Sequence, residues 1–137
     1  GIPEYGKAST GWPCHAMEHE LSAYYDITHG VGLAILTPAW MRYILQKDPS
    51  VTWRFVRFAK EVWNLEGQDE TKLAYAGIDA LEHFFKDAGI PMRLSELGID
   101  DTHFEEMAKH ANRNGRLSNA FVALNEQDIV EIFKNCL

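Results

Sequence analysis

The stretch "WPCHAMEHELSAYYDITHGVGLAILTPAWMRYIL", residues 12–45, decides the fold class, because its apolar residues recur at helical spacing. Its first part predicts a helix over residues 14–25. Its second part, from His29 to about Gln46, is more apolar and predicts a helix at the centre of the core. Pro38 lies inside this second helix, where it predicts a kink or a break.

The remainder of the chain repeats the helical spacing, with no alternating strand pattern and no Asn-Gly or Asp-Gly hairpin turn. We therefore predict an all-α domain, a helical bundle of about six to seven helices. Residues suited to capping mark the helix starts, and glycines mark the ends. The predicted N-caps are Ser50, Asp69, Asp101 and Asn125, the last in a capping box with Asp128, and the predicted terminators are Gly67, Gly89 and Gly115.

The composition indicates one globular domain, since 46% of the 137 residues are hydrophobic and can form a core. The net charge of −7 and the lack of a Lys/Arg cluster predict no nucleic-acid partner. No apolar run is long enough to cross a bilayer, which predicts no membrane partner. The two cysteines, Cys14 and Cys136, predict reduced thiols and a cytoplasmic location.

Three of the six histidines lie close together in the first stretch, at positions 15, 19 and 29. His15 and His19 are four residues apart and share one helix face, and the turn "DITHG" can return His29 to the same point. Neutral imidazoles bind Zn²⁺, Fe²⁺ and related ions, and Gly30 and Gly32 permit close approach. The alternative is that the three are ordinary hydrogen-bonded histidines.

The other histidines and the aromatic residues of the middle segment have simpler interpretations. The histidines lie among charged neighbours and are predicted at the surface, whereas the aromatic residues are predicted in the core rather than around a cofactor. These residues are His83, His103 and His110, and Trp53, Phe55, Phe58 and Trp63.

The letters "HAMEH" also match H-x-x-E-H, the signature of the inverzincin metallopeptidases. In that hypothesis His15 and His19 bind zinc, and Glu18 is the general base. A non-catalytic helical domain is a further alternative. The hydrolase hypothesis leaves His29 and the glycines without a role.

Residues 12–45 strongly resemble the metal-binding signature of the iron-containing alcohol dehydrogenases, most of all the NAD(P)H-dependent butanol dehydrogenase branch. That signature has a histidine, a second four residues on, and a third fourteen residues after the first, followed by glycine. These positions fall on His15, His19 and His29-Gly30. The resemblance continues through "ALEHFFKDAGIPMRLSELGI" and "NEQDIVEIFKNCL" and so covers essentially the whole chain.

The resemblance implies an NAD(P)H-linked enzyme that interconverts a primary alcohol and an aldehyde with the help of a divalent metal, Fe²⁺ as the family's usual metal, with Zn²⁺ fitting the same ligands. It implies that His15 and His29 are metal ligands. His19 would be catalytic, by orienting substrate or relaying a proton. Asp26 is predicted to cap a helix rather than to orient a ligand histidine.

The resemblance also implies a domain organisation. Residues 1–13 would be a loop left from a truncated upstream region, and residues 14–137 the all-helical metal-binding domain. The N-terminal domain that binds NAD(H) or NADP(H) would be absent, since no Gly-rich dinucleotide turn occurs, so we assign no cofactor-binding residue and expect the chain alone to be inactive. The full-length enzyme would be a homodimer acting on a small alcohol or aldehyde.

Overall fold

The structure is a computed structural model that describes residues 12–113, 117 and 122–137. Within these ranges it contains six α-helices, two 3₁₀ turns and no strand, which confirms the predicted all-α bundle. The helices are α1 Trp12–Tyr24, α2 His29–Lys47, α3 Thr52–Trp63, α4 Glu70–Asp87, α5 Phe104–Ala111 and α6 Glu126–Asn135, and the 3₁₀ turns are Pro49–Val51 and Leu94–Leu97.

Helix α2 is central, as its apolar sequence predicts, and contacts α1, α4 and α6. It buries side chains along its whole length, including Ile35, Trp40 and Ile44. Pro38 does not break it, because the helix continues from His29 to Lys47 with the proline inside. Of the predicted kink or break, the structure therefore excludes the break. Tertiary packing on several sides stabilises the helix across the proline.

Helix α1 packs against α2 and α5 through Cys14, Met17 and Leu21, which are buried on one face. The helix begins at Trp12, two residues earlier than predicted. Cys14 and Cys136 are both free and buried, as expected for reduced thiols. Burial raises the pKa of each thiol to about 12, so neither is a ready nucleophile.

Several predicted helix ends are confirmed by their hydrogen bonds. The Asp69 side chain accepts a 3.1 Å hydrogen bond from the backbone N–H of Lys72 at the start of α4. Gly89 follows α4 with φ +88°, a conformation that favours glycine. Asn125 and Asp128 form the predicted capping box of α6.

The two predicted ends of α3 are wrong. Ser50 is no N-cap: Asp48 caps the 3₁₀ turn by accepting from Ser50, and α3 begins after Val51. Helix α3 ends before Gly67, because Asn64 already takes the left-handed conformation, with φ 55°. At the start of α3 a 3₁₀ turn precedes the helix, whereas at its end Asn64 forms a left-handed C-cap three residues before Gly67.

Asp101 does not cap α5 with its side chain, since the N-cap position is His103. The preceding residue Asp100 instead accepts a 3.0 Å hydrogen bond from the backbone of Thr102. Trp53 is 51% exposed, so its predicted core position is also wrong, whereas Phe55 is buried.

The predicted terminator Gly115 and most of the predicted loop 1–13 lie outside the described residues. Among the helices that the structure describes, none is both long and apolar enough to cross a membrane.

Candidate metal site

Helices α1 and α2 together position the three histidines of the first stretch. Because the buried face of α1 carries Met17 and Leu21, His15 and His19 lie on its exposed side. Thr28 is the N-cap residue of α2, which makes His29 the first residue of that helix. The short turn after α1 therefore returns His29 towards α1.

The structure brings His15 and His29 together, as the sequence predicts. Their ring centroids are 5.5 Å apart with an interplanar angle of 27°. Metal–nitrogen bonds are about 2.0–2.1 Å long, so two imidazoles this close, from two helices, can turn their nitrogens to one ion. Both side chains are exposed, which leaves them accessible to further ligands.

His19 is exposed one helical turn beyond His15. The two rings in contact are those of His15 and His29, which lie on different helices. They are not those of His15 and His19, the i, i+4 pair of α1. His19 therefore lies beside the pair.

Glu18 is a carboxylate that contacts the histidine pair directly, through His29. Its side chain is fully buried, and its Oε1 accepts a hydrogen bond from Nδ1 of His29. Its Oε2 accepts a 2.7 Å hydrogen bond from Oγ of Ser22, one turn further along α1. A buried carboxylate needs such partners, because burial without them is costly.

Gly32 provides the space for the Glu18 side chain. A Cβ at Gly32 would lie 2.6 Å from Cγ of Glu18, a distance that real Cβ atoms do not adopt, whereas a Cβ at Gly30 would meet nothing within 4 Å. The expected close approach is therefore found at Gly32 and not at Gly30.

Glu20 is also buried, but its carboxylate contacts other residues than the histidine pair. Its carboxylate lies 3.4 Å from Nδ1 of His110 and 3.9 Å from Nη2 of Arg113. The hydroxyl of Tyr24 is 3.4 Å from the same His110 nitrogen. These contacts join α1 to α5 and its C-terminal end, while His110 keeps its predicted place at the surface.

The geometry argues against the H-x-x-E-H hydrolase hypothesis. A general base must face the reacting water, but Glu18 is fully buried and both of its oxygens are occupied. Asp26 is exposed and does not hold the N-cap position of α2, which belongs to Thr28, so its predicted capping role is wrong.

The sequence identified the histidine pair but not the contact of Glu18. Two spacings pointed to it: Ser22 lies four residues after Glu18, and Gly32 lies three after His29. Neither indicates by itself that two helices meet there. Within the described ranges, no group of three or more His, Cys, Asp or Glu is arranged to hold a metal, and the candidate site consists of the imidazole pair of His15 and His29.

Comparisons with known proteins agree on one family. The sequence profile "Fe-containing alcohol dehydrogenase family, C-terminal" matches residues 4–137. NADH-dependent butanol dehydrogenase A of Clostridium acetobutylicum is 48% identical over 136 residues, which are 98% of this chain and 34% of that protein. The 1,3-propanediol dehydrogenase of Citrobacter freundii is 34% identical over 95% of this chain and 33% of its own length.

Among solved structures, NADH-dependent butanol dehydrogenase A of Thermotoga maritima matches with a TM-score of 0.77 and 36% identity. The match covers 92% of this chain and 33% of that one. The chain thus spans about one third of the length of the curated relatives it matches. It belongs to the Fe-containing alcohol dehydrogenase family and corresponds to the C-terminal helical region of that family.

Proposed function

We propose that this chain is the helical, metal-binding part of a metal-dependent alcohol dehydrogenase or aldehyde reductase that uses NAD(P)H. The observation that carries the proposal is the pair formed by His15 and His29, whose rings are 5.5 Å apart on two helices. The names of the relatives, butanol and 1,3-propanediol dehydrogenases, support a small primary alcohol or its aldehyde as substrate.

The donor set fits a divalent metal of the first transition row. His15 and His29 are exposed imidazoles, and the contact of Glu18 with Nδ1 leaves Nε2 of His29 for an ion. Fe²⁺ is the proposed metal, and Zn²⁺ suits the same ligands. When bound, the metal would act as a Lewis acid that stabilises the negative charge developing on the substrate oxygen during hydride transfer.

His19 is the proposed catalytic residue. It lies one turn from His15 on the exposed side of α1, where it can contact a substrate held at the histidine pair. An imidazole can both accept and donate a proton, which suits it to proton transfer in an active site. Its role would be to orient the substrate hydroxyl or to relay its proton.

The remaining parts of the enzyme are proposed to lie outside residues 14–137. These parts are the further metal ligands and the domain that binds NAD(H) or NADP(H). Residues 14–137 are then the proposed metal-binding domain, and residues 1–13 precede it. The complete enzyme is proposed to be a cytoplasmic homodimer.

Single substitutions of the three histidines in the complete gene product test these roles. We expect His15→Ala and His29→Ala each to lower both bound metal and aldehyde-dependent NAD(P)H oxidation at least tenfold, because each removes one metal ligand. His19→Ala should keep the metal and lower kcat by about 10²-fold or more. The measurements are metal content by elemental analysis and the rate at saturating aldehyde.

His83→Ala is the matched control, since His83 is exposed and lies 3.7 Å from the exposed carboxylate of Asp87. It should leave metal content and rate unchanged. Wild-type metal content in both His15→Ala and His29→Ala would contradict the proposed ligands.

A further inference from the structure

Glu18 is unusual because it is a fully buried acid on a helix whose neighbouring histidines are exposed. An apolar side chain of similar size would fill this position without the penalty of burying a carboxylate. The carboxylate therefore requires an explanation beyond packing.

Both oxygens of Glu18 have defined partners. One accepts from Nδ1 of His29 on α2, and the other accepts from Oγ of Ser22 on α1 at 2.7 Å. Gly32 lies against the side chain, so that a Cβ there would overlap it. The rotamer of Glu18 is thus restricted by one hydrogen bond from each helix and by the packing at Gly32.

The contact also defines the state of the His29 ring. When the carboxylate in this contact is ionised it can only accept, and the donor is then the Nδ1–H group of His29. In the neutral ring the lone pair then resides on Nε2. The His29 side chain is 57% exposed although Glu18 is buried, so the contact fixes the ring from its buried edge.

We propose that Glu18 is a positioning residue, which fixes the orientation and tautomer of His29 so that Nε2 is presented to the metal. Its negative charge also makes the imidazole a better donor to a cation. The proposal rests on the proposed function, since it assumes that His29 is a metal ligand.

The chain itself suggests a second way to disturb the same contact. Gly32→Ala would displace the Glu18 carboxylate without changing any hydrogen-bonding group, because its new Cβ would overlap the Glu18 side chain. Gly30→Ala introduces the same methyl group on the same helix, where nothing lies within 4 Å. The two variants form a matched pair.

The experiment measures the Zn²⁺ affinity of the complete gene product by competition with a chromophoric chelator. We expect Glu18→Ala to weaken affinity about 10–100-fold. Glu18→Gln keeps the volume but loses the charge, and should weaken it at least threefold. Gly32→Ala should behave like Glu18→Ala, whereas Gly30→Ala should match the wild type. Ser22→Ala leaves the bond to His29 intact and should change affinity less than either Glu18 variant.

The midpoint of thermal unfolding is measured for each metal-free variant. It distinguishes a role of Glu18 in positioning His29 from a role in packing. If Glu18→Ala fails to fold, Glu18→Gln decides the question. A folded Glu18→Gln and a folded Gly32→Ala with wild-type Zn²⁺ affinity would overturn the positioning role. The positioning role and the proposed function can fail separately. If the positioning role is overturned but His29→Ala still loses the metal, the proposed function stands. A wild-type protein that bound no Zn²⁺ and no Fe²⁺ would instead contradict the proposed function itself.

Discussion

At the residue scale, Asp128 shows how one buried side chain can serve several elements. Its oxygens accept from the backbone N–H of Asn125, from the hydroxyl of Tyr43 and from the ammonium group of Lys47. It therefore closes the capping box of α6 and ties that helix to α2. Burial alone would raise the pKa of Asp128, but the hydrogen bonds from Lys47, Tyr43 and Asn125 outweigh it, and the pKa is lowered.

The lowered pKa makes the contribution of Asp128 dependent on pH. A carboxyl group with a lower pKa in the folded state stabilises the fold above its unfolded pKa of about 3.9. That contribution is lost as the pH falls through the folded value. We expect Asp128→Ala to lower the free energy of unfolding by about 2 kcal/mol at pH 7, and the deficit to shrink at acidic pH.

Urea unfolding of the wild type and of Asp128→Ala between pH 7 and pH 3 measures this difference in the free energy of unfolding. Glu126→Ala, an exposed position in the first turn of the same helix, is the control and should change stability by less than about 0.5 kcal/mol. A deficit that stayed constant down to pH 3 would contradict the role of the ionised carboxylate.

At the element scale, the crossing of α3 and α4 depends on a glycine. A Cβ at Gly77 would lie 2.8 Å from Cβ and 3.0 Å from Cα of Ala59, so the helices meet almost backbone to backbone. These two helices form the most extensive contact between elements of the described chain. An added methyl group must push them apart.

We expect Gly77→Ala to destabilise the protein by about 1–3 kcal/mol, although alanine is the better helix former. Thermal unfolding monitored by circular dichroism measures the change. Ala76→Gly is the complementary control, since it lowers helix propensity at the neighbouring, half-buried position. A Gly77→Ala protein as stable as the wild type would show that the helices can separate freely.

The elements also show how far sequence reasoning reaches. The caps at Asp69 and Asn125 and the turn at Gly89 are confirmed, because these signals act within one or two turns of the chain. The ends at Ser50, Gly67 and Asp101 are wrong. Asp48 and Asp100 make the turn contacts near the first and the third, and Asn64 ends α3 before Gly67 by taking the left-handed conformation.

The candidate site was also predicted only in part from the sequence. The family spacing identified His15 and His29, and the structure brings their rings together. The contact of Glu18 with His29 was missed, because it joins side chains from two helices and depends on the space at Gly32. Periodicity describes one helix at a time and contains no information on how two helices pack.

At the scale of the whole molecule, the candidate site presents the two imidazoles of His15 and His29, and the chain spans about one third of the length of its relatives. A metal centre that polarises a substrate also needs other ligands and a nicotinamide held in line with the substrate. The proposed catalysis is accordingly tested on the complete gene product.

The most direct test is aldehyde-dependent oxidation of NADH and NADPH by the complete gene product, with butyraldehyde as substrate. The protein is assayed as isolated, after removal of metal by a chelator, and after addition of Fe²⁺ or Zn²⁺. We expect activity that is lost on chelation and restored by one of the two metals, because the metal would stabilise the charge on the substrate oxygen. Undiminished activity in the metal-free protein, or no oxidation under any of these conditions, would contradict the account.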